Sequence, residues 1–303
     1  MKVWLNGEIR DSGAAIDAGD RGFLLGDGAF ETIYVENGKP AFLAEHLARL
    51  RFGLGVLQIP APAALASLGD IIRRLAAEND LQEKASARIT VTRGSGRRGL
   101  AFPSAEEASP TLLVTLSPFP PQQTSSVKLH LTQRRRFSGA ATARFKAIGG
   151  YADNILAFNE AVTAGAGEAI MLNEHGRVAG AAAANLFAID ESGAVITPPL
   201  EEGALPGVVR ALLLSGDHGV AISEGALSPE ALQRCALLIT NSLKGVAAAH
   251  LSAPSQSPVL QRLQTWYQER LQREIEMAGD EVVRRAAVLE EIDRAGRFAG
   301  RLE

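Results

Sequence analysis

The stretch that decides how this chain is interpreted is Arg144-Phe145-Lys146-Ala147-Ile148-Gly149-Gly150-Tyr151-Ala152-Asp153-Asn154. Its lysine stands between an aromatic residue and an Ala-Ile-Gly-Gly turn, and a helix opens just beyond it at about Asn154. An amine in such apolar surroundings titrates below its solution value and can then condense with an aldehyde. The alternative is a surface lysine whose stem lies on apolar residues while its charged head stays in water. Other segments have to decide between these two interpretations.

The composition is that of a globular protein. The chain has 303 residues, of which 46% are hydrophobic and 21% are charged, enough for one large or two medium domains. The net charge of −3 and the pI near 6.0 give no reason to expect nucleic acid or a membrane surface as a partner.

The cysteine content and the N-terminus favour a cytoplasmic protein. Cys235 is the only cysteine in the sequence, which excludes an internal disulfide framework and a cysteine-based zinc site, and we expect no metal ion. It lies in an apolar run, where a buried thiol is expected. An Asn-Gly turn at residues 6–7 comes before any signal-peptide core could form. No apolar run approaches the roughly 18 residues of a membrane span.

Strands and helices follow one another in an order that predicts a mixed α/β (α+β) fold. Strands are expected where β-branched and aromatic residues alternate with polar ones, and helices where apolar residues recur at helical spacing. The expected strands span residues 3–5, 8–10, 30–35, 87–92, 111–116, 127–132, 169–172, 186–189 and 237–240, and the expected helices span residues 44–57, 63–79, 154–164 and 260–277, with others after Pro206-Gly207 and at Pro229.

A proline-rich segment divides the chain. Residues 118–126 contain three prolines, which cannot donate to a strand ladder, followed by polar residues. We predict a small α/β domain at residues 1–117, a linker at 118–126, a larger domain at 127–279 and a charged tail at 280–303.

The run Gly94-Ser95-Gly96-Arg97-Arg98-Gly99 matches the G-x-G-x-x-G dinucleotide pattern only weakly. A dinucleotide fingerprint opens a helix, whereas here a second strand follows. Two interpretations remain open: a loop that presents Arg97 or Arg98 to a carboxylate, and a hairpin loop with solvated arginines.

Three further features each have an ordinary structural explanation. Pro206-Gly207 at a helix start leaves backbone N–H groups that suit a phosphate, but it also fits a plain helix start. Thr240-Asn241-Ser242 follows a buried strand and most simply caps a turn. His46 and Arg49 lie on one helix face, for which exposure is the simplest expectation. Together with Lys146, these features suit an aldehyde that bears a phosphate, which is pyridoxal 5′-phosphate (PLP).

The sequence resembles the fold-type IV PLP enzymes, which include branched-chain and D-amino acid aminotransferases and 4-amino-4-deoxychorismate lyase. The likeness covers about residues 3 to 275 and is specific in order and spacing. The motifs that carry it are residues 20–32, His46-Leu47-Ala48-Arg49-Leu50, Thr92-Arg93-Gly94-Ser95-Gly96, residues 144–154, Ala184-Asn185-Leu186-Phe187, Leu205-Pro206-Gly207 and Thr240-Asn241-Ser242.

The resemblance implies a small α/β domain and a larger pseudobarrel domain with PLP between them, in a homodimer whose active sites borrow loop residues from the partner. It implies that Lys146 forms a Schiff base with PLP and moves protons. Tyr151 would bond the cofactor 3′-oxygen, and Leu205 would pack on the ring. The other expected cofactor contacts are Arg49, Gly207, Val208, Val209, Asn241 and Ser242, and the expected substrate contacts are Phe30 and Arg98.

One cofactor position departs from the family. Members have a glutamate five residues before the asparagine of the Asn185-Leu186-Phe187 motif, where it pairs with the pyridine nitrogen, and this chain has Gly180 there. A carboxylate raises the pKa of that nitrogen by about 1 to 3 units, and the protonated ring is the stronger electron sink. Losing the acid should therefore weaken the sink.

The leading hypothesis is an aminotransferase that moves an amino group between an amino acid or amine and a 2-oxo acid. Arg98 matches an arginine that D-amino acid aminotransferases use for the substrate carboxylate, but their neighbouring histidine is Leu100 here. The first alternative is aminodeoxychorismate lyase, which releases pyruvate and 4-aminobenzoate. The second is a PLP-binding protein in which Gly180 marks altered or lost transamination.

Overall fold

The computed structural model describes residues 1–13, 15–96, 99–104, 108–121, 126–254 and 257–277. Three predicted features therefore lie wholly or partly outside the described residues. They are Arg97 and Arg98, residues 122–125 of the linker 118–126 and the charged tail 280–303.

The chain divides into two compact units. Of the described residues, the first unit contains Met1–Pro120, Phe145–Gly150 and residues 273–277, and the second contains Pro121–Arg144 and Tyr151–Gln272. This division differs from the predicted one, in which all of residues 127–279 form one domain. Phe145–Gly150, called the lysine segment below, belongs to the first unit because its backbone is hydrogen-bonded to the strand that begins at Gly28.

The first unit is an antiparallel sheet covered by helices. Its described strands are β1 (Lys2–Leu5), β2 (Glu8–Asp11), β3 (Gly28–Glu36), β4 (Lys39–Pro40), β5 (Lys84–Thr92) and β6 (Thr111–Pro118), in the sheet order β2-β1-β6-β5-β3-β4. Its helices are α1 (Arg21–Leu25), α2 (Leu43–Val56) and α3 (Leu68–Glu78). The β1–β2 hairpin turns at Asn6 and Gly7, which have φ values of 46° and 106°.

Helix α3 shows how a local pattern becomes part of the core. Its apolar residues recur at spacings of three and four, and the resulting stripe is buried in the first unit's core. The stripe consists of Leu68, Ile71, Ile72, Leu75 and Ala76. The single helix predicted over residues 63–79 is instead a 3₁₀ turn at Ala63–Ser67 followed by α3, because the backbone of Ser67 leaves the helical region.

The second unit is a curled sheet of eight described strands. They are β7 (Val127–Arg136), β8 (Glu168–Asn173), β9 (Val178–Ala181), β10 (Asn185–Ile189), β11 (Val195–Thr197), β12 (Ile222–Glu224), β13 (Ala236–Asn241) and β14 (Gly245–His250), in the order β12-β11-β10-β13-β14-β7-β8-β9. The later helices are α4 (Ala152–Thr163), α5 (Val208–Ser215), α6 (Pro229–Leu232) and α7 (Pro258–Met277). None of the helices in the described ranges combines the length and the apolar character that a membrane crossing requires.

The lysine segment is fixed by two glycines. Gly26, with φ +69°, ends α1, and a Cβ atom there would lie 2.6 Å from the Cα of Gly149. The N–H of Gly149 donates to the Gly26 carbonyl at 3.1 Å. The two backbones can approach this closely because Gly26 has no side chain, whereas a Cβ at Gly149 would make only ordinary contacts.

Candidate active site

Lys146 is held at the start of β3 by backbone hydrogen bonds. The N–H of Phe30 donates to the Lys146 carbonyl at 2.9 Å, and the N–H of Ile148 donates to the Gly28 carbonyl at 2.9 Å. The lysine Nζ lies 4.8 Å from the centroid of the buried Phe30 ring, within cation–π range. The lysine and the aromatic residue that sequence reasoning singled out are therefore neighbours.

A second cation lies on the same ring and was not expected from the sequence. The Cζ atom of Arg88 is 3.8 Å from the Phe30 ring centroid. Arg88 lies on β5, where it is exposed while Ala87 and Ile89 on the opposite face are buried. The alternation along β5 is the signal that could have placed Arg88 on an accessible face.

Arg49 belongs to a buried cluster with Glu31 and His46. The guanidinium donates from Nε to Glu31 Oε1 at 2.8 Å and from Nη2 to Oε2 at 2.6 Å, and His46 Nδ1 lies 2.7 Å from Oε2. All three side chains are buried, so the expectation that this face of α2 is exposed is wrong. The reason is that β3 supplies a carboxylate opposite the helix.

The protonation states of this cluster follow from its pairing. Burial alone would raise the pKa of Glu31, but the charge and hydrogen bonds of Arg49, with His46, lower it to about 2. Burial lowers the pKa of His46, against the pull of Glu31. We therefore assign a charged Glu31, a charged Arg49 and a neutral His46 that donates from Nδ1.

The glycine-rich loop after β5 is anchored by α1. Arg21 donates from Nη1 to the Gly99 carbonyl at 2.7 Å and from Nε to Asp27 Oδ2 at 2.9 Å, and Arg93 donates from Nε to the same Asp27 oxygen at 2.7 Å. Burial opposes ionisation of Asp27, yet the hydrogen bonds of Arg93 and Arg21 keep its pKa below the ordinary value. The visible ends of this loop are therefore fixed, while Arg98 itself lies outside the described residues.

The predicted anion site at Pro206-Gly207 is the N-terminus of α5. Gly207 is the N-cap and no side chain caps the helix, so Val208 and Val209 begin it with their N–H groups uncapped by a side chain. A Cβ at position 207 would overlap the Oδ1 of Asn185. Asn185 also donates from Nδ2 to the Leu205 carbonyl at 2.8 Å, and it thereby orders this turn.

The polar end of β13 lies next to α5, and its side chains have different surroundings. The Oγ1 of Thr240 is buried and has no hydrogen-bond partner among the described residues. Asn241 donates from Nδ2 to the Ala183 carbonyl at 3.0 Å and accepts the N–H of Lys244 at 2.7 Å, so its side chain caps the turn that contains Ser242. The turn-capping alternative thus describes Asn241 well.

Gly180 on β9 has an arginine beside it. Its φ is +142°, and a Cβ built there would lie 3.7 Å from Nη1 of Arg136. Tyr151 begins the second unit and interacts electrostatically with the same arginine. Sequence reasoning missed Arg136 because it ends the run Arg134-Arg135-Arg136, in which nothing local distinguishes the three residues.

The predicted residues thus fall into two groups, each within one unit. The first unit brings together Lys146 and Phe30, with Arg49 bound to the adjacent Glu31. The second unit holds the N-terminus of α5, the β13 end and the Gly180 neighbourhood. The members of this second group are Tyr151, Gly180, Leu205, Gly207, Val208, Val209, Asn241 and Ser242.

Comparison with known proteins shows which family the chain belongs to. The sequence profile of the amino-transferase class IV family matches residues 28–251. The D-alanine aminotransferase of Staphylococcus haemolyticus is 28% identical over 247 residues, which cover 80% of this chain and 85% of that protein.

Solved structures of this family are similar to the chain over most of its length. The structure of 4-amino-4-deoxychorismate lyase from Pseudomonas aeruginosa is 30% identical and has a TM-score of 0.78, covering 89% of this chain and 99% of that one. The branched-chain aminotransferase of the archaeon Thermoproteus uzoniensis, solved with norvaline, has a TM-score of 0.83 over 92% and 97% of the two chains. At 23% identity, it bears on the fold alone. The chain therefore belongs to the amino-transferase class IV family of PLP-dependent enzymes, and both the resemblance and the mixed α/β fold predicted from the sequence are confirmed.

Proposed function

We propose that this protein is an aminotransferase that moves an amino group between an amino acid or amine and a 2-oxo acid, with PLP attached to Lys146. The observation that carries the proposal is the position of one amine beside a buried aromatic ring, where backbone hydrogen bonds to β3 fix its main chain. An amine with a fixed backbone beside an apolar surface is the kind of nucleophile that carbonyl chemistry needs.

The phosphate of PLP fits the N-terminus of α5. An uncapped helix start attracts a dianion through its N–H groups and its dipole, and only glycine fits at position 207 beside Asn185. The Oγ1 of Thr240, which has no hydrogen-bond partner in the described part of the chain, is a polar donor buried in the same unit. Val208, Val209 and Ser242 would hold the phosphate together with Arg49, and Leu205 would lie on the ring.

PLP supplies an aldehyde that condenses with an amine and a ring that withdraws electrons from the attached substrate. Nζ of Lys146 would then carry the proton removed from the substrate α-carbon. Phe30 would line the side of the site next to this amine and keep water from it. Tyr151 would donate its phenolic proton toward the 3′-oxygen of PLP.

The substrate carboxylate has two candidate partners. Arg98 remains the proposal from the sequence. The geometry adds Arg88, because its guanidinium lies on the same ring as Lys146 Nζ and β5 leaves it exposed. A guanidinium fork binds a carboxylate bidentately and would orient the α-carbon toward the amine.

The test is a half-reaction. Purified protein is loaded with PLP and mixed with a panel of L- and D-amino acids, and pyridoxamine phosphate and the oxo acid are measured. We expect conversion with at least one substrate class and none in Lys146→Ala. An absorption band that no amino acid alters would contradict the proposal.

A second candidate is aminodeoxychorismate lyase, favoured by the 30% identity to the Pseudomonas aeruginosa protein of that name. The loop Arg93-Gly94-Ser95-Gly96 also leans that way. This reaction releases pyruvate and needs no amino acceptor, so pyruvate formed from aminodeoxychorismate alone would assign the lyase. The spacing from Lys146 to Tyr151 and Asn154 favours the aminotransferase instead.

A third candidate is a PLP-binding protein whose transamination is altered or lost because Gly180 replaces an acid. It predicts PLP on Lys146 without conversion of any amino acid. For all three candidates we propose a homodimer, and the cytoplasmic location inferred from the single cysteine stays a prediction.

A further inference from the structure

Arg136, the last residue of β7, is a partly buried cation whose guanidinium is hydrogen-bonded to two carbonyls and a sulfur atom. Nη1 donates to the Gly203 carbonyl at 3.3 Å, and Nη2 donates to the Ala181 carbonyl at 3.1 Å and to the Met171 sulfur at 3.5 Å. In the part of the chain that the structure describes, no carboxylate oxygen lies within ion-pair distance of this guanidinium. A guanidinium keeps its proton in proteins, so the positive charge stays uncompensated.

The backbone beside Arg136 disfavours a compensating acid at position 180. A Cβ at position 180 would begin 3.7 Å from Nη1 of Arg136 and 3.6 Å from the Ala184 carbonyl, which leaves room for a side chain. The φ of +142° is nevertheless a conformation that side-chain-bearing residues rarely adopt. Position 180 therefore suits glycine, which places no charged side chain beside the guanidinium.

Two other ionisable groups act on Arg136. Burial lowers the pKa of its guanidinium, while Tyr151 and Glu168 raise it. Glu168 Oε1 accepts the N–H groups of Ala169 and Ala183, whereas Oε2 is buried with no partner in the described residues. Burial raises the pKa of Glu168, against backbone donors and Lys244. Glu168 acts on Arg136 from beyond ion-pair distance, so its carboxyl group does not pair directly with the guanidinium.

We propose that Arg136 makes this end of the cofactor site cationic, so that the ring nitrogen of bound PLP stays unprotonated near neutral pH. The inference rests on the proposed function, which places the ring nitrogen toward Gly180 and the 3′-oxygen toward Tyr151. A positive charge near a base lowers the pKa of its conjugate acid by about 1 to 3 units when the two lie within a few ångströms. The same charge stabilises an ionised 3′-oxygen.

An unprotonated ring is a weaker electron sink. Negative charge at the substrate α-carbon would therefore be short-lived in this protein. We expect faster reaction of substrates that expel a leaving group or that take the proton directly back from Lys146. Substrates whose negative charge must remain in the ring for longer should react more slowly.

The test is nitrogen NMR of the protein loaded with PLP that carries ¹⁵N in the ring, because the chemical shift of that atom reports its protonation without turnover. We expect the unprotonated shift in the wild type and in Arg136→Lys. Arg136→Gln removes the charge, and its signal should move toward the protonated shift. Arg135→Gln is the matched control, since Arg135 is the exposed neighbour on β7, and it should leave the shift unchanged.

The outcomes separate this inference from the proposed function. A protonated ring nitrogen in the wild type, with PLP fixed on Lys146, would overturn the inference and leave the aminotransferase proposal standing. Failure of PLP to attach to Lys146 would overturn both. An unchanged shift in folded Arg136→Gln would also overturn the role of Arg136. If that variant does not fold, the wild-type shift still decides the protonation state, and a wild-type shift different from that of Arg136→Lys would count against the charge as its cause.

Discussion

Two charge clusters, one in each unit, are built in opposite ways. In the first, Glu31 pairs with Arg49 and accepts a hydrogen bond from His46. In the second, and within the described residues, the hydrogen bonds of Arg136 go to carbonyls and a sulfur atom, and one oxygen of Glu168 has no partner. A compensated cluster can hold a fold together, whereas an uncompensated one is costly until a bound group completes it. We therefore expect the first cluster to contribute more to stability than the second.

We expect the largest effect from removing the carboxylate that pairs with Arg49 in the first unit. Glu31→Gln leaves Arg49 buried without that carboxylate, so we expect the free energy of unfolding to fall by about 3 to 5 kcal/mol, as measured by urea denaturation. Asp70→Asn is the control, because the Asp70–Arg73 pair is exposed and should matter little. Equal losses of unfolding free energy in the two variants would contradict the expected difference between the buried and the exposed pair.

The same cluster predicts how stability depends on pH. The pKa of Glu31 is lowered from 4.5 to about 2 in the folded protein, so its contribution is complete above pH 4.5 and is lost as pH falls toward 2. The unfolding free energy of the wild type should decline over that range. Glu31→Gln should decline less, and parallel curves for the two proteins would contradict the assignment.

Arg88 extends the comparison to a cation that lies on an aromatic ring. If it binds the substrate carboxylate, Arg88→Gln should raise KM for the amino acid about tenfold to a hundredfold, which corresponds to about 1.5 to 3 kcal/mol for a charge-assisted hydrogen bond. The effect on kcat should be smaller. Lys84→Gln, an exposed change on the same strand, should alter neither constant. An unchanged KM in Arg88→Gln would transfer the role to another group such as Arg98.

Gly180→Glu sharpens the comparison by adding an acid to the uncompensated cluster. We expect a faster half-reaction, because a carboxylate near the ring nitrogen strengthens the electron sink. The backbone at φ +142° makes any side chain costly, by about 1 to 3 kcal/mol of stability. Gly180→Ala carries the same strain without the charge, so the rates of the two variants should differ. Equal rates would count against the electron-sink argument.

The sequence predicted most of the helices and the long strands because these are local patterns. The stripe of α3 and the alternation of β5 are visible within about ten residues. Strands β9 and β14 were missed, since Val-Ala-Gly-Ala and Gly-Val-Ala-Ala-Ala-His lack the bulky residues that mark strands.

The site was predictable where a motif names it and unpredictable where distant residues meet. Glu31 lies 18 residues from Arg49, so no helix pattern shows that the two pair. Arg136 differs from its arginine neighbours only through the pairing of β7 with β8, whose register shifts between Leu131 and Arg135. Such outcomes depend on tertiary packing, which residue spacing does not record.

The most direct test of the account is to fix the cofactor chemically. Protein loaded with PLP is reduced with borohydride, digested and mapped by mass spectrometry. We expect a pyridoxyl phosphate group on Nζ of Lys146 and none in Lys146→Ala. A colourless protein, or a label on some other lysine, would contradict it.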